Sequence, residues 1–480
     1  MATVYPRRIM GVETEFGVTA YRDGQAVLTP EEVARYLFRP VVAAHRSSNI
    51  FTSNASRLYL DVGAHPEYAT AECDSVTQLL NYDKAGELIY QDLAGQAVDS
   101  LAADRINGEV YLFKNNVDSR GNSYGTHENY LISRELALKS FGKQLIPFLI
   151  TRQLICGAGM IKNGRFHISQ RADQVWEAVS SATTRTRPII NTRDEPHGDS
   201  HRFRRMHIIV GDSNMSEPTF ALKIGSTLLV IEMLEAGFDL PDYELADPIS
   251  HIRDIAADPT GATQLRLTNG RTVTALDVQQ AILEAATRWL EQRPDQGTPN
   301  TEMARICNLW QRTLEALASQ DFSLVDTEID WVIKRKLLAQ FKHKLQADWA
   351  HPKLAQIDLA YHDINRKRGL FYLLETKGLA QRWTTDEAIA TAAHEPPNTT
   401  RAALRGKFLD VVRTAGADYN VDWVHVKLNR PEPRTVELLD PFATQDARID
   451  ALIEFVGAHT SDVSRAIPVP ATERKQAEDG

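Results

Sequence analysis

Glu13 and Glu15 stand two apart in Gly11-Val12-Glu13-Thr14-Glu15-Phe16-Gly17, a run rich in β-formers. Side chains two apart on a strand share a face, so both carboxylates point the same way. Arg57, Tyr59 and Asp61 repeat that spacing, and His65-Pro66-Glu67-Tyr68 follows closely. Faces carrying acids, a phenol and a guanidinium do not build a core, because unpaired buried charge is costly. They must meet a metal, a ligand or water. Two more clusters have the same character: Tyr124-Gly125-Thr126-His127-Glu128-Asn129-Tyr130, and Asn191-Thr192-Arg193-Asp194-Glu195-Pro196-His197 with Arg204-Arg205-Met206-His207 and Gly211-Asp212-Ser213-Asn214.

Hard divalent cations take oxygen ligands, and Mg²⁺ prefers carboxylates together with phosphate and water. Glutamates spread over separate strands suit metals that grip a nucleotide's phosphates. Arginines nearby would neutralise a transferring phosphoryl group. An aspartate left free of metal would serve as general base. Each residue also has a plainer reading. Glu13 and Glu15 suit the solvent face of an edge strand, His65 and His207 suit hydrogen-bonded core positions, and Tyr59 suits β-filler. Pro66 breaks the simple parity that would place Glu67, since it cannot continue a ladder. Residue types and spacing thus reach a metal-dependent enzyme on a sheet, with phosphoryl transfer as its chemistry.

The elements that must position these groups are legible. Strand-like runs cover Arg8 to Val18, Arg57 to Val62, Val110 to Lys114, Glu128 to Ser133, Phe166 to Gln170 and Met206 to Val210. Helical spacing covers Pro30 to Phe38 behind the N-cap Thr29, then Ser75 to Val98 and Phe220 to Ala236. The second half is helical over Thr274 to Gln292, Glu302 to Ala318 and Asp326 to Lys344. Lys334-Arg335-Lys336 in the last reads as a solvated helix face, or else as a basic wall beside an acidic partner. Pro396-Pro397 marks a linker over Glu395 to Thr400. A small module follows: helix Arg401 to Ala415, strands Val421 to Leu428 and Thr435 to Leu438, and helix Asp446 to Gly457. A polar, frayed tail begins at about Ser461.

The totals narrow the class. The chain has 480 residues, enough for one large domain or two to three ordinary ones. Its net charge of −9 argues against a nucleic-acid binder. Three cysteines without a CxxC motif predict reduced thiols and a cytoplasmic home. No run predicts a membrane span, and no apolar segment after Arg7-Arg8 suggests a signal peptide. Walker A, GxGxxG and HExxH motifs are absent. Gly121-Asn122-Ser123-Tyr124-Gly125 matches GxSxG, but turn-forming residues precede it where a hydrolase elbow needs a strand.

The segments Arg7 to Gly17, Arg57 to Tyr68, Lys114-Asn115-Asn116-Val117-Asp118 and Ile189 to His197 closely resemble the Pup-ligase family, relatives of glutamine synthetase and glutamate–cysteine ligase. The resemblance runs from about Arg7 to Leu452. It implies an α+β fold: a catalytic domain over 1–400 with a curved, mainly antiparallel sheet backed by helices, and a small α+β C-terminal domain over 401–480 that closes on the nucleotide. It implies an ATP- and Mg²⁺-dependent ligase. ATP phosphorylates the side-chain carboxylate of the C-terminal glutamate of Pup, a small disordered ubiquitin-like protein. A lysine of a target protein then attacks the γ-glutamyl phosphate, marking the target for proteasomal degradation. Matched by position, Glu13, Tyr59 and Glu67 are implied Mg²⁺ ligands, Arg57, Thr70 and Trp423 implied ATP contacts, and Asp61 the implied base. Glu15, His127, Glu128 and His207 are weaker candidates from the reading of the residues themselves. The alternative is the paralogue that deamidates Pup and removes it from targets. That paralogue carries a long extra loop between its glutamate motif and its Arg-Leu-Tyr strand, for which the stretch from Glu13 to Arg57 leaves little room.

Overall fold

Alternating core and surface residues at the N-terminus open the central sheet of the computed structural model, which describes residues 4–460 apart from 6, 62, 119, 136, 137 and 182–186. The tail expected from about Ser461 lies outside the described residues. Eight strands pair in the order Glu177–Ser180, Pro188–Asn191, Phe203–Ile208, Thr126–Ser133, Met10–Glu15, Pro66–Ala69, Arg57–Leu60 and Asn49–Phe51. Every pairing is antiparallel except that of the first two. The fold is α+β, with helices covering the rear face of this sheet.

The expected strand Arg8 to Val18 is two strands. Met10–Glu15 belongs to the large sheet, and Gly17–Arg22 joins a second sheet with Gln25–Ala26 and Glu109–Phe113. The chain changes sheets at Phe16, whose buried ring anchors the crossing. Gly17 is required there, because a Cβ would collide with the Tyr124 hydroxyl. Thr29 and Glu32 form a capping box that starts the helix Pro30–His45, which runs past the expected end at Phe38 and through Pro40.

The rear face of the large sheet presents Val12, Thr14, Leu58, Tyr68, Tyr130, Ile132, Met206 and Ile208, all buried. Against it lies the main apolar cluster, which includes helices Val76–Ala103 and Glu217–Glu235. The second of these is buried on every side, the signature of a central core helix. One set of charges that enters this interior arrives with opposite signs paired. Lys114 Nζ donates to Asp83 Oδ2 at 2.5 Å and to Glu87 Oε1 at 2.8 Å, and Lys84 Nζ donates to Glu87 Oε1 at 2.9 Å. The three cysteines are buried free thiols. Among the described residues no helix is long and apolar enough to cross a membrane.

The basic run Lys334-Arg335-Lys336 is neither a solvated face nor a continuous basic wall. Lys334 is wholly buried, with Nζ 2.6 Å from the Gly159 carbonyl and 2.9 Å from Asp358 Oδ1. Lys336 pairs with Asp326 at the surface. The interior carboxylate and carbonyl compensate the desolvated ammonium, which hydropathy alone cannot anticipate.

Residues after the Pro396-Pro397 step enclose an apolar cluster of their own, including Leu404, Phe408, Val426, Leu428, Ile449 and Val456. Helices Ala402–Thr414 and Ala447–Ala458 pack on a three-stranded sheet of Tyr419–Val421, His425–Leu428 and Arg434–Glu437. The chain entering this unit is tied down: Thr399 Oγ1 donates to Asp74 at 2.8 Å and Thr400 Oγ1 to the Glu72 carbonyl at 2.8 Å. The expected strand Val421 to Leu428 is interrupted. Asp422 Oδ1 accepts from the backbone N–H of Val424 and of His425, at 2.8 and 2.7 Å. That local bond set competes with the ladder and throws Trp423 out of the sheet.

Candidate functional site

Register decides which side chains meet. Glu13 stands opposite His127 on one neighbouring strand and Ala69 on the other; Glu15 stands opposite Glu67, and Glu67 opposite Tyr59. Arg57 stands opposite Ala69, His207 opposite Asn129, and Asn191 opposite His207. Residues opposed in this way share a face. One face of the sheet therefore gathers Arg57, Tyr59, Glu67, Glu13, Glu15, His127, Asn129, Arg205, His207 and Asn191. Pro66 does not spoil this. It is the first residue of its strand, where a missing N–H is tolerated.

This face floors a groove of about 2420 Å³, walled by the second sheet and by the Trp423 hairpin. Two groups of possible metal ligands lie in it, each with donor atoms within 4.8 Å of one another. One is Glu13 with His127 and His207; the other is Glu15 with Asp61 and Glu67. Asp61 opens the turn that joins Arg57–Leu60 to Pro66–Ala69. Gly63 and Ala64 there adopt left-handed φ of 87° and 60°, and the His65 ring stacks on Tyr124 at 4.9 Å. Asp61 is exposed to the groove, whereas Glu67 is 3 % exposed. The all-oxygen group suits a hard cation such as Mg²⁺.

The electrostatics are uneven. Burial, with Glu13 and Glu15 beside it, pushes the Glu67 carboxyl well above the usual range, although a hydrogen bond with Tyr59 opposes this. Burial and the charges of Glu13 and Glu67 push the Tyr59 phenol up. Burial would also raise Glu13, but the hydrogen bond from His127 and the charge of Arg205 outweigh it and hold Glu13 low. Its carboxylate oxygens lie 3.1 Å from His127 Nδ1, 3.2 Å from Asn129 Nδ2 and 3.5 Å from Arg205 Nη1. Burial pushes His207 down to about 3. Its Nε2 is buried 3.8 Å from Glu13 and has no hydrogen-bond partner among the described residues. A carboxylate cluster with one member destabilised as an anion is a site prepared for positive charge.

Thr70 and Trp423 lie at the other end of the sheet, lining a small cavity of about 90 Å³ with Gly11, Glu13, Glu72, His197 and Arg401. Thr70 Oγ1 accepts from the Val12 N–H at 3.1 Å. Trp423 meets Phe51 edge-on, with ring centres 4.9 Å apart. The Arg57 guanidinium caps the Tyr59 ring at 4.4 Å and donates to Asn49 Oδ1 at 2.9 Å, with no carboxylate partner among the described residues. The cavity and the groove share Glu13, His197, Arg205 and Trp423 in their walls.

Glu128 does not belong to this face. It alternates with His127 and Asn129, points into the core and is fully buried, where Arg152 grips it through both oxygens and Tyr130 donates at 2.8 Å. Ser123 sits in a turn organised by Asp118 and not on a strand-to-helix elbow, and its hydroxyl accepts from Arg171 Nη1 at 2.7 Å. Sequence reasoning missed Glu72, Arg401 and Arg405. Glu72 is buried between both guanidiniums, which ties the small unit to the large sheet two residues beyond Thr70. A lone acid amid the small residues of Ala69 to Cys73 was the available signal.

Residues 8–427 match the family model described as Pup-ligase protein. The Pup–protein ligase of Corynebacterium aurimucosum is 61% identical over 465 residues, 95% of this chain and 98% of the relative. That of Corynebacterium glutamicum is 58% identical over 94% of this chain and 97% of the relative. The crystal structure of the complex between the prokaryotic ubiquitin-like protein Pup and its ligase PafA superposes with a TM-score of 0.93 at 56% identity, covering 95% of this chain and 93% of that one. A structure of the Pup ligase PafA with ADP gives 0.83 at 58% identity, covering 92% and 96%.

Proposed function

The chain belongs to the Pup-ligase family, and on that footing we propose that it joins the side-chain carboxylate of Pup's C-terminal glutamate to lysines of target proteins at the expense of ATP. The observation that carries the reading is the sheet face that sets the Asp61, Glu15 and Glu67 carboxylates within one hand's reach of Tyr59 and Arg57, at the floor of an open groove. The groove admits the end of a polypeptide, which a ligase of free amino acids would not need. The stretch between Glu13 and Arg57 is filled by Gly17–Arg22, Gln25–Ala26, Pro30–His45 and Asn49–Phe51, so the deamidase reading is not favoured.

The roles follow from charge and reach. Glu13, Tyr59 and Glu67, with Glu15 beside them, would hold Mg²⁺. Bound there, the metal would neutralise the nucleotide's phosphates and the transferring phosphoryl group. Arg57 adds a guanidinium, Thr70 a hydroxyl, and Trp423 an indole face for the adenine. Pup's γ-carboxylate attacks the terminal phosphorus and ADP departs. A lysine amine is protonated at neutral pH and cannot attack. Asp61, open to the groove, accepts that proton as the amine attacks the acyl carbon and phosphate leaves. Proteasomal marking and a cytoplasmic setting belong to the same proposal.

Purified protein, ATP, Mg²⁺, Pup ending in glutamate and a lysine-bearing protein should yield a heavier covalent product on denaturing gels. Ammonia from glutamine-ended Pup, with no such product, would instead establish the deamidase.

A further inference from the structure

Arg405 is completely buried on helix Ala402–Thr414 and touches both units at once. Through Nη2 and Nη1 it binds both oxygens of Glu72, the second at 3.2 Å. The same Nη1 donates to the Trp423 carbonyl at 3.1 Å. Its guanidinium centre also sits 5.2 Å from the Trp423 ring and 4.9 Å from the Phe51 ring. One side chain thus holds the backbone and the ring of Trp423, while its charge is neutralised from the large sheet two residues beyond Thr70. Arg401 shares Glu72 at 2.7 Å but spends its other donors on the carbonyls of Leu438 and His197, at 2.8 and 2.6 Å.

We propose that Arg405 is a positioning residue for the nucleotide: it fixes the Trp423 indole against the cavity lined by Thr70, so that nucleotide affinity depends on Arg405 through Trp423. The proposal rests on the reading of Trp423 as a nucleotide contact. A planar fork is needed, because an ammonium is a point charge that cannot bond the carboxylate and the carbonyl in one fixed geometry. Plain glue between the two units would not act through the indole, and the two roles separate in a double-mutant cycle.

The cycle uses the full chain with Mg²⁺ and measures ADP affinity by calorimetry for the parent, Arg405→Lys, Trp423→Ala and the double variant. Each single change should weaken ADP by about tenfold, and the double variant should be no weaker than the worse single. In steady state Arg405→Lys should raise KM for ATP and leave kcat unchanged. Glu72→Gln keeps the volume and frees Arg405, so it carries the same cycle should Arg405→Lys fail to fold. Unchanged ADP affinity in Arg405→Lys, or losses that multiply in the double variant, would overturn the proposal while leaving Trp423 a contact. Unchanged affinity in Trp423→Ala would overturn the contact itself and the proposal with it.

Discussion

Glu67 and Glu128 are both buried glutamates of the same sheet, and they face opposite ways. Glu128 points rearward into a bidentate Arg152, whose charge outweighs the burial that would raise the carboxyl and holds it low. Glu67 points into the groove, where its neighbours are Glu13, Glu15, Asp61 and the Tyr59 hydroxyl, and its carboxyl is pushed well up. Lys114, Lys84, Asp83 and Glu87 repeat the Glu128 pattern behind the sheet. The rear-face glutamate is matched with its opposite. Glu67 is stacked with its own sign and left for an incoming ligand to balance.

The largest effect expected from that contrast is chemical. Asp61→Asn should cut conjugation by about 10²–10⁴-fold while ADP affinity and thermal midpoint stay put. Retained conjugation, read on gels, would break the assignment of the base. Glu128→Gln should do the reverse job on the rear face. It strands the buried Arg152 and should cost about 3–5 kcal/mol in denaturant unfolding; a loss below 1 kcal/mol would erase the distinction between the faces.

Acid sharpens the contrast further. Burial alone would raise Glu72, but Arg405 and Arg401 outweigh it and hold the carboxyl at about 2, against an ordinary 4.5. Lys114 and Lys84 likewise hold Glu87 at about 2 against burial. A carboxyl lowered by folding contributes stability above its ordinary value and loses it as the pH falls. Stability should therefore decline between about pH 4.5 and 2, and Glu72→Gln should flatten that decline in unfolding curves taken across the range. The smallest effect on stability belongs to Glu67→Gln. Removing a destabilised anion should raise stability by about 1 kcal/mol while conjugation is lost, the exchange common at active sites.

Strand parity carried most of the site. Two-residue spacing alone placed Glu13 with Glu15 and Arg57 with Tyr59. The same parity, applied to the adjacent His127 and Glu128, separates them onto opposite faces. Register stayed hidden, because nothing in Met10–Glu15 names its partners across the sheet; Glu67 meets Tyr59 and Glu15 only through pairing with two other strands. Helix Pro30–His45 began where Thr29 capped it but overran its expected end, since packing of Val41 overrides a local break at Pro40. Lys334 and Arg405 were beyond reach for one reason: each is a cation compensated by residues distant in the chain.

Six residues, Met10–Glu15, feed the core with Met10, Val12 and Thr14 and the groove with Glu13 and Glu15. Slipping this strand by one position against its neighbours would drive two acids into oil and leave two apolar side chains wet. Misaligned molecules would thus be unstable as well as inert. The groove's carboxylates proofread the assembly of the sheet that carries them, and a population that survives folding is one in which the hollow is already correctly built.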